Sequence, residues 1–195
     1  NVRTPGKALL VVPTEEMAGK IATEWEAQQD RVDPRVMPWT RSANSAIDKL
    51  SVQRSEVENH LIGYAGTDLV CYRADGPVGL VERQIAAWDP ILDWAEKRYG
   101  LRLLVTPGVM PVSQDAGSLA VLSNVMSSMN NFAITGFHDL VTLSGSYVIA
   151  LSVVENAHKP HAAWTLSRID EDWQIEQWGR DEEADTQAET KREAF

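Results

Sequence analysis

Apolar residues recur in steps of three and four through the middle of the chain. Val81, Ile85, Trp88, Leu92, Ala95 and Tyr99 make one continuous seam, and that period predicts a helix with one buried face. Pro90 falls inside the seam. Asp89-Pro90 is either a cap followed by the first turn of a second helix or a kink within one long helix. Gly100 stands where a helix C-cap belongs. Two further long helices are predicted over about residues 117–130 and 134–154, with Ser144-Gly145-Ser146 as a small-residue notch inside the second. Pro160 begins an amphipathic helix that Gly179 ends. Its Leu166, Ile169 and Trp173 share one face, and Asp170, Gln174 and Trp178 share the other.

The front of the chain reads differently. Ala8 to Val12 is a short apolar run between Gly6 and Pro13, the pattern of a buried strand. Thr14 caps a following helix, Glu15 and Glu16 favour its positive end, and Met17, Ile21 and Trp25 line one face. A polar stretch over residues 28–38, with Pro34 and Pro38, is the expected hinge. Beyond it, residues 44–50 and 55–64 read as helices joined by a polar turn. Leu101 to Val105 reads as a short strand ended by Pro107-Gly108. From Arg180 onward the chain is charged and poor in large apolar groups until Phe195, so it is an exposed helix or disordered.

Composition narrows the functional classes. A chain of 195 residues with a 44% apolar share can bury a real core in one domain or two small ones. Its net charge of −10 argues against nucleic acid, whose phosphates need a basic footprint, and against anionic membrane surfaces. The same charge suits a partner with basic patches. The apolar run from Phe132 to Val154 is interrupted by His138 and Asp139, and the clean part falls short of the roughly 20 residues a bilayer requires. Cys71 is the single cysteine, so no internal disulfide forms, and its apolar setting fits a packed, inert thiol in a reducing compartment. The polar start at Asn1 is no signal peptide, and without an initiator methionine the natural chain is expected to begin upstream.

The tests for catalytic chemistry return nothing. No glycine-rich loop is followed by Lys-Ser or Lys-Thr, and no G-x-S-x-G elbow is present. His158 and His161 flank a lysine and a proline with no carboxylate or thiol ligand near, so no metal site is expected. His138 and Asp139 could be a base and its orienter, but neighbouring helical residues diverge, and a buried, hydrogen-bonded histidine is the simpler reading. The carboxylates near Asp170 to Asp172 and Asp181 to Asp185 fit a solvated surface better than a general acid and base. Seven tryptophans, an acidic exterior and no chemical centre favour a binding module over an enzyme. The aromatic-and-acid face at Asp170, Gln174 and Trp178 suits a protein-docking patch. The competing reading puts both Trp173 and Trp178 in the core.

A set of ordered blocks resembles the assembly chaperones of ATP synthase that act on the α subunit of its catalytic head. The blocks are Thr4-Pro5-Gly6-Lys7; Val12-Pro13-Thr14 leading to Glu24-Trp25; Met37-Pro38 with Asn44 and Ala46-Ile47-Asp48; and Thr67-Asp68-Leu69 with Cys71-Tyr72-Arg73. They continue with Trp88-Asp89-Pro90, Trp94 and Tyr99-Gly100; His138-Asp139-Leu140 with Ser144-Gly145-Ser146; and Leu166 to Gly179. Trp39 departs from the pattern, where an aliphatic residue is usual, and Asp170 stands where mitochondrial relatives tend to carry Glu.

The resemblance implies an α+β chain: a small β-rich N-terminal domain, largely missing here with residues 1–35 as its remnant, and a larger mostly α-helical C-terminal domain over residues 36–195, acidic from about 180. It implies a non-enzymatic chaperone without catalytic residues, metal, cofactor or obligatory small molecule, which binds unassembled α subunit until the β subunit replaces it. A bacterial member would be cytoplasmic, and eukaryotic relatives would work in the mitochondrial matrix. The expected contact strip is Asp170, Gln174, Trp178 and Asp181. Trp25 is expected to pack between domains, with Trp88, Asp89, Trp94 and Trp173 as structural support. A generic hydrophobic-client holdase is the nearest rival, and a nucleotide-binding enzyme a more distant one.

Overall fold

The computed structural model describes residues 2–195. Among the described residues ten α-helices carry the fold: α1 (Glu15–Glu26), α2 (Pro38–Asn44), α3 (Leu50–Gly66), α4 (Val78–Tyr99), α5 (Ala116–Ser127), α6 (Asn131–Ser144), α7 (Tyr147–Val154), α8 (Pro160–Ser167), α9 (Ile169–Trp178) and α10 (Glu182–Ala194). A π-helical turn, Ser45–Lys49, joins α2 to α3. The one sheet among the described residues is a parallel pair, β1 (Tyr72–Arg73) and β2 (Thr106–Pro107), with Tyr72 beside Thr106 and Arg73 beside Pro107.

The core is built around α7. Tyr147 through Ser152 are all buried, as an apolar helix without a polar side must be. Helices α3, α4, α6 and α8 pack around it. Phe137 of α6 meets Tyr147 edge to face at 4.8 Å, and the Tyr147 hydroxyl donates to the Leu122 carbonyl oxygen at 2.8 Å. That bond lets a tyrosine sit fully buried without stranding its hydroxyl. Asp68, just ahead of β1, is buried too. Its Oδ2 accepts from the Val148 backbone N–H at 3.0 Å at the start of α7, and its Oδ1 accepts from Val70 N–H at 3.2 Å.

Several expectations are corrected. The apolar run over residues 134–154 is two helices. Gly145 takes the left-handed conformation (φ 70°) as the C-cap of α6, and the Ser146 hydroxyl then caps α7 by accepting from Ile149 N–H at 3.0 Å. The small-residue notch is therefore a pair of caps that turns the chain. Pro90 lies inside one uninterrupted α4, and Gly100 (φ 69°) ends it. Of the α4 seam, Ile85 is exposed, and Gln84 and Ile91 take its place in the buried stripe. The break expected after Leu50 is present as a kink at Gln53 (φ −119°, ψ 19°), where two helical segments meet within the α3 span. Leu101 to Val105 is not a strand, since the pairing falls one residue later at Thr106. The helix from Pro160 to Gly179 breaks at Arg168 into α8 and α9. The tail resolves as helical: α10 buries none of its own residues, and Phe195 beyond it lies 5.6 Å from the Trp164 ring.

The front of the chain is a hairpin rather than a buried strand. Arg3 pairs antiparallel with Leu9, and Leu9 and Val11 face solvent while Leu10 and Val12 are half-buried. Asp48 clasps the turn: its Oδ1 accepts from the Thr4 hydroxyl at 2.6 Å and its Oδ2 from Gly6 N–H at 2.8 Å. A Cβ on Gly6 would lie 2.6 Å from that carboxylate, so only glycine lets the turn approach so closely. Thr14 caps α1 as expected, accepting from Met17 N–H at 3.2 Å. Glu24 then ties α1 to α2, accepting from the backbone N–H groups of Trp39 and Thr40 at 2.7 and 2.8 Å. A carboxylate at the start of a helix satisfies orphan donors and meets the positive end of its dipole.

Candidate protein-docking site

Helix α9 lies along the N-terminal half of α4 in the opposite direction. Asp170 meets Gln84, Trp173 sits against Gly79 and Arg83, and Glu176 pairs with Arg83 at 2.8 Å. The Arg83 guanidinium also stacks on the Trp173 ring at 5.0 Å, so Trp173 is held on both sides and is half-buried. Gly79 has to be small here, because a Cβ would come within 2.9 Å of the Trp173 ring.

The four residues of the expected strip do not lie on one open face. The Asp170 carboxylate turns inward, accepting from the Gln84 side-chain amide at 2.6 Å, while Gln84 Oε1 accepts from Ala74 N–H at 2.8 Å. Asp170 is thereby half-buried and links α9 to the end of β1 through a buried amide. Gln174 is exposed. Trp178 is 79% exposed in the last turn of α9, which excludes the core reading for it. Asp181 caps α10 by accepting from Ala184 N–H at 2.8 Å. Gln174, Trp178 and Asp181 are thus presented to solvent, and Asp170 holds the helix that presents them.

The supporting residues occupy distinct places. Trp88 is fully buried and its indole N–H donates to the Leu166 carbonyl oxygen at 2.8 Å, fastening α8 to α4. Asp89 lies 2.9 Å from the buried Arg73 guanidinium, which in turn stacks over Trp88 at 5.4 Å. Trp94 is half-buried against the edge of Tyr99. Trp25 lies where the hairpin, α1 and the start of α2 converge, lining an apolar cleft of about 560 Å³ with Val2, Leu10, Val12, Ala18, Ile21 and Ala22.

His138 is not buried. It lies on the wall of a 540 Å³ groove between the α2–α3 rod and α6, its ring 5.9 Å from that of His60 and its Nδ1 3.5 Å from Asp139 Oδ1. Burial pushes the Cys71 thiol well above its ordinary range, in keeping with an inert packed side chain. No group of three or more histidine, cysteine or acidic residues that could hold a metal occurs among the described residues, and no helix there is long and apolar enough to cross a membrane.

Sequence reasoning did not single out Gln84, Arg83 or Asp68. Gln84 carried a signal, a polar residue one turn before Trp88 on the buried stripe. Its partner in α9 lies 86 positions away and left none.

A helical scaffold that leaves Trp178 exposed among acids has a surface composition suited to protein docking. The family model of the ATP12 chaperone protein matches residues 1–96. The crystal structure of Atp12 from Paracoccus denitrificans superposes with a TM-score of 0.93 at 48% identity, covering 99% of this chain and 83% of that one. A protein from Agrobacterium tumefaciens described as a chaperone superposes at 0.92 with 37% identity, over 97% and 71% of the two chains. Protein atp12, mitochondrial, of Schizosaccharomyces pombe is 24% identical over 94% of this chain and 67% of its own. The chain belongs to the ATP12 chaperone family, the ATP synthase assembly factors to which the sequence blocks pointed.

Proposed function

We propose that this chain is an assembly chaperone that holds the unassembled α subunit of the ATP synthase catalytic head, masking the surface that later meets the β subunit. The observation that carries the reading is Trp178, a large aromatic group left in solvent at the end of α9 in a chain of this family. Unassembled subunits expose apolar surface that aggregates, and an aromatic anchor ringed by polar groups covers such surface reversibly. Gln174, Trp178 and Asp181 form the contact strip, with Asp170 setting the position of α9. No reaction is catalysed and no metal or cofactor is required.

In this reading the hairpin and α1, within residues 1–35, are the part of the chain belonging to an N-terminal β-rich domain, and residues 36–195 form the client-binding helical domain. A bacterial member would act in the cytoplasm, where its client is made.

The test is light scattering of separately unfolded α and β subunits diluted into buffer with and without this protein. Suppression for α alone is expected. Equal suppression of α and β would replace the specific reading with a generic holdase, and no suppression of either would remove the chaperone reading. Trp178→Ala is expected to raise the chaperone concentration needed for half-suppression about tenfold, the effect of losing an interface anchor.

A further inference from the structure

Trp178 is not the only large apolar side chain left in solvent. Val109 and Met110, directly after β2, are 90% and 73% exposed, and Val78, the first residue of α4, is 71% exposed. The connectivity gathers these positions. Strands β1 and β2 are parallel, so the segments leaving them emerge at the same edge, and Gly108 N–H donates to the Arg73 carbonyl oxygen at 2.7 Å. The next residue, Ala74, is bonded to Gln84, and Gln84 to Asp170. From that junction α4 leads back to Val78 while the antiparallel α9 leads forward past Trp173, packed on Gly79, to Trp178. One small polar hub thus fixes the relative positions of the loop after β2, the start of α4 and the end of α9.

Isolated exposed apolar residues are ordinary, but several gathered at one end mark an interaction surface. Resting on the client reading above, we infer that Val78, Val109, Met110 and Trp178 form one composite docking surface, and that its occupant is an apolar segment of the α subunit flanked by lysine or arginine. Charge selects that occupant. Asp75 lies in the loop before Val78, Asp115 follows the Val109-Met110 loop, and Asp181, Glu182 and Glu183 follow Trp178. The nearby cations are engaged, Arg83 with Glu176 and Arg180 with Asp185. A rim of acids that form no ion pair among the described residues attracts a basic-flanked segment and repels a second copy of this chain, whose net charge is also −10. Methionine and valine on a loop adapt to an irregular, partly unfolded surface more readily than a rigid helix face does.

The experiment compares the intact wild-type chain with Val109→Ser/Met110→Ser and, separately, Trp178→Ala, in the α-subunit scattering assay. Circular dichroism and thermal unfolding confirm that each variant is folded. A photo-crosslinking residue at Val109 reports what sits on the loop. The loop variant is expected to need about fivefold more chaperone for half-suppression. The crosslink is expected to reach α at a segment with basic flanks and to weaken as salt rises. Full protection by the loop variant alongside weakened protection by Trp178→Ala would overturn the composite surface and leave the client reading standing. A crosslink to a second copy of this chain would overturn the assigned occupant. Loss of protection already in the wild type would instead remove the client reading on which the surface depends.

Discussion

Asp68 shows how much one side chain can commit. Its carboxylate bridges the turn before β1 and the first turn of α7, and burial pushes its pKa from 3.8 to about 6 against the opposing pull of Ser146 and the backbone donors of Val148 and Val70. A carboxyl with a raised folded-state pKa binds its proton more tightly when folded. This group therefore favours folding most at low pH, and its contribution is lost as pH rises from 3.8 to about 6, by on the order of 2–3 kcal/mol. Asp68→Asn removes that dependence and turns an amide N–H₂ toward backbone donors, costing about 1–3 kcal/mol at neutral pH. Urea unfolding is expected to show a wider stability gap between wild type and variant at pH 4.5 than at pH 7. An equal gap at both would show that Asp68 is not the titrating group. Cys71, next to it in the core, is expected to resist alkylation by iodoacetamide until the chain is unfolded, because its thiolate is disfavoured by burial.

Among elements, the decisive features are breaks and close approaches. The left-handed Gly145 separates α6 from α7, and the nearest atom to a Cβ placed there is Leu69 Cβ at 3.9 Å, an ordinary contact. Gly145→Ala is therefore a backbone experiment without a clash, expected to cost about 1–2 kcal/mol in denaturant unfolding. Gly79→Ala is the opposite case, a regular helical position where the added Cβ meets the Trp173 ring at 2.9 Å. It is expected to cost about 1–3 kcal/mol through displaced packing. Because the shift moves α9, it is also expected to weaken α-subunit protection, whereas Gly145→Ala leaves protection near wild type once folded. Gly100 was legible in the sequence as a cap because a cap is local, whereas Gly145 read as a packing notch because the apolar run continues on both sides of it. The need for glycine at position 79 was not, because the tryptophan it accommodates arrives from 94 residues away.

At the scale of the whole molecule, acidity sets the terms of encounter. A net charge of −10 on a small chain steers basic surface toward it and keeps copies apart. On the proposed function, association with the α subunit is expected to slow as ionic strength rises, while dissociation, which the apolar anchors would govern, changes far less. Stopped-flow binding at several salt concentrations checks this, and equal salt sensitivity of both rates would contradict a division between steering charge and anchoring tryptophan.

The apolar periodicity, the proline and glycine punctuation and the acidic composition determined by themselves that this is a mostly helical chain with a capped α1, a helical seam from Val81 to Tyr99 ended by Gly100, and a buried apolar segment before residue 154. These properties are written within a few residues of where they act, so a linear reading recovers them. The tertiary structure alone decided between the two readings of the α9 tryptophans, excluding the one that puts both in the core. Trp173 packs against Gly79 and Arg83 of a helix distant in sequence, while Trp178 is left 79% exposed. It also decided that Asp170 turns inward to Gln84, and that the loop after β2 ends up at the same edge as the start of α4. Side-chain spacing fixes the face a residue occupies on its own element, but only the partner brought across by folding determines whether that face meets protein or water.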